Sequence, residues 1–142
     1  MRPIYRNVFA VVTGIVVGCV VNIAIVIAGP LLIPVPDGVD MSDMENLAEN
    51  LKLLKPANFL APWLAHALGT FFGAWLAARL AASRKQAIAM GIGLFFLIGG
   101  ITAVAQYGGP IWFAVLDLVG AYLPMGYLGG ALGIRKTAPA DD

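Results

Sequence analysis

Four polar side chains interrupt long apolar stretches of this chain: Asn22, His66, Gln106 and Asp117. His66 is its only histidine, and Asp117 follows it after fifty residues with no acid in between. An imidazole and a carboxylate in apolar surroundings have three uses. They can tie two helices together, they can exchange a proton, or they can floor a small polar pocket. Metal binding needs more ligands than one histidine and one acid supply. Haem held by two histidines would take the second from a partner chain. The single cysteine, Cys19, sits in an apolar run, where it is expected to pack. The expectation is therefore no metal and no cofactor. Nor does a catalytic set emerge, because Ser42 and Ser83 are the only serines and neither lies within plausible reach of His66. The glycine-rich GGALG near the end lacks the strand that a phosphate loop requires.

These side chains need elements to position them, and composition identifies the medium. Of 142 residues, 60% are hydrophobic and 12% charged, with mean hydropathy +0.85. Soluble domains carry about 25% charge. The remaining charges are gathered into short stretches, which leaves apolar runs of membrane-spanning length. Net charge is +1, with the basic residues at helix ends rather than in a patch, so no nucleic-acid partner is expected. The expected fold is all-α, an integral membrane antiparallel four-helix bundle forming one domain. Its helices run over about residues 8–28, 59–82, 86–105 and 111–134. A loop over 29–58 carries a short amphipathic helix at about 43–55.

The second helix sets the pattern. At 100° per residue, Pro62, His66, Gly69, Thr70, Gly73 and Ala77 share one side, and Leu64, Leu68, Phe71, Phe72 and Trp75 the other. Small residues beside a polar one, with large residues opposite, are expected where lipid is the solvent and helices meet through small side chains. The first helix repeats Ala10, Gly14, Gly18 and Asn22 at every fourth position, a second packing edge. It exceeds the usual apolar core of a signal peptide and is expected to be retained. The third carries Gly91, Gly93, Gly99 and Gly100 around its circumference. On the fourth, Asp117 shares a side with Gly120, Ala121, Pro124, Leu128 and Ala131, while Trp112, Val115, Leu116, Val119 and Leu123 lie opposite. Pro124 predicts a kink near Gly120.

The long connection is expected to stop the first helix at Gly29 and Pro30. Its amphipathic helix starts at a Ser42–Glu45 capping box, or at Asp40 with a Val39–Met44 staple. Asp37, Asp40, Asp43 and Glu45 lack the spacing of a calcium loop and are expected to cap and solvate. Arg2, Arg6, Arg79, Arg84, Lys85, Arg135 and Lys136 lie in the head, the Arg79–Lys85 turn and the tail, whereas the loop over 29–58 holds only Lys52 and Lys55 and the QYGGP turn none. The positive-inside rule then puts both termini in the cytoplasm and that loop outside, with Trp63 and Trp112 at the outer interface.

In this frame Asn22 is six residues from the outer end of its helix, His66 seven and Asp117 six, each about 9–10 Å deep. Gln106 closes the layer at the rim with Thr102 one turn beneath, and Thr70 lies one turn below His66. Towards the cytoplasm only Thr13 and Thr70 follow, too few to line a pathway across the membrane.

The order of an apolar helix, a PVPDG-type acidic loop, WLAHALGTFFGAWLAARLA, IGGI and PIWFAVLDLVGAYLPMGYLG resembles small four-helix bacterial inner-membrane proteins. The resemblance implies a bacterial inner membrane and carries no activity with it. The leading functional expectation is a non-enzymatic membrane protein in contact with lipid. It would act by helix association with copies of itself or a larger membrane complex through Gly14, Gly18, Gly69, Gly73, Ala77 and Gly120. A second is a proton- or small-ligand-binding component of transport or sensing, centred on His66, Asp117 and Asn22. A third is a membrane enzyme acting on a lipid or quinone.

Overall fold

A computed structural model describes residues 2–134. Arg135 and Lys136 of the basic tail lie outside the described residues. Within them the chain is helical, with no strand. Four stretches are long and apolar enough to cross a membrane: Pro3–Leu32, Pro56–Leu80, Lys85–Tyr107 and Ile111–Gly133.

The first, α1 (Pro3–Leu32), runs past its expected end. Pro30 removes one amide from the last turn, but the Ile33 N–H donates to the Gly29 carbonyl at 2.8 Å and closes one more turn. The next helix, α2 (Leu47–Leu53), has seven residues, fewer than the span expected over 43–55. Its acids explain the loss. Asp40 accepts from the Ser42 N–H and hydroxyl, and Asp43 accepts from the Glu45 and Asn46 N–H groups. These bonds satisfy the backbone in turns, so neither expected helix start forms. A 3-10 turn, Pro56–Phe59, then leads into α3 (Leu60–Leu80), so the second stretch begins before residue 59. Asn58 anchors this entrance. It is 8% exposed, accepts from the Lys55 N–H and donates to the Pro34 carbonyl.

All the other long stretches pack around α3. Against α1, backbone meets backbone where Gly14 lies on Gly73 and Gly18 on Gly69, and Gly29 takes the Ala61 methyl. A Cβ on Gly14 would come 2.7 Å from the Gly73 carbonyl oxygen. The small-residue edges expected on the first two helices are therefore spent on each other. At the Pro3 end of α1, the Arg6 Nε donates to the Leu80 carbonyl at 2.8 Å, and the Asn7 side chain accepts from the Ala82 N–H at 2.8 Å. These bonds fasten the start of α1 to the turn before α4 (Lys85–Tyr107).

The last stretch is two helices, α5 (Ile111–Gly120) and α6 (Leu123–Gly133), separated by Ala121 and Tyr122. Pro124 in the first turn of α6 has no amide to continue α5, and the break falls just before it. The break corrects the expected face. Pro124, Leu128 and Ala131 are exposed, and the packed side of α6 is Gly126, Gly129, Gly130 and Gly133. Gly129 and Gly133 lie on the backbone of α3 at Phe71 and Trp75, so that side of α3 is partly covered by a helix. Phe72 remains exposed, while Phe71 and Trp75 are half-buried. Gly120 has only ordinary contact with Trp63 and is no close-packing glycine.

Candidate functional site

Where α3, α5 and the break after α5 meet, two side chains converge on one carboxylate. Asp117 is 2% exposed. Its Oδ1 lies 2.8 Å from Nδ1 of His66 on α3, and its Oδ2 accepts from the Tyr122 hydroxyl at 2.9 Å. The His66 and Tyr122 rings stack with centroids 5.6 Å apart. Tyr122 is buried because Gly100 of α4 makes room: a Cβ there would stand 2.5 Å from the phenol oxygen. A tyrosine five residues after Asp117 would face elsewhere on an unbroken helix. The break at Ala121 turns it back toward the acid, which is why helical spacing missed it.

The contact with Asp117 engages Nδ1 of His66. That leaves Nε2, which has no hydrogen-bond partner among the described residues. The imidazole is 28% exposed and lines two clefts. One, of about 220 Å³, lies between α1 and α4 over α3, and Asn22, Thr70, Phe96 and Tyr122 contribute to its wall. The other, of about 120 Å³, lies under α2, with Leu47, Leu51, Tyr107 and Asp117 in its wall. Gly100 and Ala103 belong to both, so His66 stands at their junction.

Two further polar atoms are buried without a partner: Oγ1 of Thr70 and Nε1 of Trp63. Thr70 is 1% exposed, and a buried hydroxyl left unpaired costs about 1–3 kcal/mol. Of the expected polar layer, His66 and Asp117 meet, and Asn22 and Thr70 line the larger cleft beside them. Gln106 and Thr102 do not join. Gln106 is exposed, and Thr102 donates to the Ile98 carbonyl of its own helix. A depth counted along a helix does not fix the side a residue faces, and both lie on an exposed side of α4.

Among the described residues no three side chains of His, Cys, Asp and Glu gather as a metal site would need. The arrangement can hold a proton on a histidine steadied by a buried acid, or hydrogen-bond an oxygen-bearing ligand at Nε2, Asn22 and Thr70. Towards the Pro3 end of the molecule, Ala74, Ala77, Ala78, Ala89 and Ile92 form a buried apolar cluster. No family model matches the chain, and no curated protein or solved structure matches it significantly.

Proposed function

We propose that this chain is a multi-pass protein of a bacterial inner membrane, an antiparallel bundle that binds a small ligand or proton at His66, with Asp117 and Tyr122 holding the imidazole. The observation that carries the reading is the position of His66 at the junction of two clefts, with one ring nitrogen engaged and the other free of protein partners. This tie keeps one imidazole nitrogen without a partner in a cleft that Thr70, with its unpaired hydroxyl, also lines.

The charges support an orientation. Arg2, Arg6, Arg79, Arg84 and Lys85 collect at the end where Arg6 and Asn7 hold the α3–α4 turn, and the loop with α2 lies at the other. By the positive-inside rule the first end is cytoplasmic, and the smaller cleft, under α2, lies toward the outside. The apolar cluster on the cytoplasmic side favours a dead-end binding or sensing site over a conduit. That the glycines of α1 and α3 face one another within the chain supports this reading over association through those edges.

The test is to extract small molecules that co-purify with the protein from its native membrane in mild detergent. Mass spectrometry should find a species bound to the wild type and lost from a folded His66→Leu variant. Equal recovery from both, or nothing above a control membrane protein, would count against the reading.

A further inference from the structure

The larger cleft has features that define what it accepts. It lies between α1 and α4, two helices that touch each other little. Its rims are apolar: Ile23 on one side, Gly99 and Ala103 on the other, all exposed. Gly99 has open space where a side chain would stand. The floor is polar, formed by His66 and by Thr70, whose buried hydroxyl has no partner. No lysine or arginine lines it, so nothing there neutralises a phosphate or carboxylate head. The stacked His66 and Tyr122 rings and Phe96 give it flat walls. Its volume of about 220 Å³ is below the roughly 300–1,000 Å³ of sites that enclose a whole drug-sized ligand. A compact head fits, and any chain attached to it must leave through the gap between α1 and α4.

We infer that this cleft receives, sideways from the bilayer, the uncharged oxygen-bearing ring of a single-tailed lipid of the quinone–quinol class. Ring oxygens meet Thr70 Oγ1 and His66 Nε2, and the tail lies along Ile23 and Gly99. The inference concerns binding alone and rests on the reading of His66 as a ligand site. It adds the chemical class of the ligand and its route of entry. The thermodynamic logic is that a hydroxyl buried without a partner is a loss to the empty protein that a bound oxygen recovers.

The test uses the full chain in lipid nanodiscs. Binding is titrated with decyl-benzoquinone and its quinol, and with decanol and dodecyl phosphate as comparisons. Saturable binding is expected for the quinone or quinol only. Thr70→Val should weaken it about tenfold, the equivalent of one hydrogen bond, while leaving thermal stability of the empty protein unchanged or higher. Gly99→Leu, whose Cβ would stand in open space, should abolish binding without loss of folding. Saturable binding of decanol or dodecyl phosphate to the same degree would overturn the assignment of a ring head. Absence of quinone and quinol binding would overturn the inference, as would a Thr70→Val variant that is less stable yet binds normally. If a molecule of another class co-purifies in a His66-dependent way, the parent reading survives and the quinone assignment fails.

Discussion

Nδ1 of His66 and Oδ1 of Asp117, 2.8 Å apart, join α3 to α5, two helices that otherwise touch little. The outer side of α5 is exposed at Ile111, Trp112, Val115, Leu116 and Val119. This pair and the Tyr122 hydroxyl therefore place α5 together with the Phe59 ring, which packs on Trp112 and Phe113. Hydrogen bonds between membrane helices are worth about 0.6 kcal/mol on average and about 1.7 at most. A His66→Ala/Asp117→Ala double-mutant cycle, read by reversible unfolding in mixed micelles, should give a coupling in that range. Asp117→Ala alone should cost about 1–3 kcal/mol, because it leaves the buried Tyr122 hydroxyl unpaired. Additivity within error would mean that the two residues do not hold each other.

Gly100→Ala should act through Tyr122. The added methyl would stand 2.5 Å from the phenol oxygen and push it off Asp117. Its loss of stability should match that of Tyr122→Phe to within about 1 kcal/mol plus a strain term of about 1–3 kcal/mol. Combined, the two substitutions should cost less than their sum, since both break the same bond. The comparison is made by the same unfolding measurement.

Glycines along the helices should divide sharply by position. Gly14→Ala and Gly73→Ala place a methyl on the facing backbone of α1 or α3 and should destabilise by about 1–3 kcal/mol. Gly91→Ala meets nothing and should stabilise by about 0.5–1 kcal/mol through lower backbone entropy. Thermal denaturation in detergent orders the three.

The loop before α2 should loosen in acid. Hydrogen bonds from Ser42 hold the Asp40 carboxyl below its usual value of 3.8, and bonds from Asn46 do the same for Asp43. Carboxyls lowered in the folded state contribute order that is present above pH 3.8 and lost as pH falls through their folded values. Hydrogen exchange at the Ser42, Glu45 and Asn46 amides should therefore lose protection only below that point, and Asp40→Asn should weaken protection at Ser42 at neutral pH.

How far the sequence could be read depended on whether a feature stayed within one regular element. The apolar lengths of the four stretches and the glycine spacing of α1 were legible because both follow a helix of constant pitch. The His66–Asp117 meeting was legible because each sits on the small-residue side of its own helix. Tyr122 was hidden by the break at Ala121, which resets the rotation for everything after it. The same reset moved the packed face of α6 from Leu128 and Ala131 to Gly126, Gly129, Gly130 and Gly133. Gln106 and Thr102 failed for another reason: a depth can be counted along a helix, but the neighbour it faces cannot. The anchors Asn7 and Asn58 bond backbone atoms distant in sequence, and no local pattern marks them.

The central claim is that His66 is an accessible site facing outward, and the single histidine makes it directly measurable. Sealed vesicles of each orientation would be treated with the histidine-acylating reagent diethyl pyrocarbonate and the protein digested for mass spectrometry. The account predicts modification of His66 in vesicles exposing the loop that carries α2, and protection in vesicles exposing the Arg84–Lys85 turn. An imidazole unreactive from both sides while the protein stays folded, or reactive only from the Arg84–Lys85 side, would contradict it.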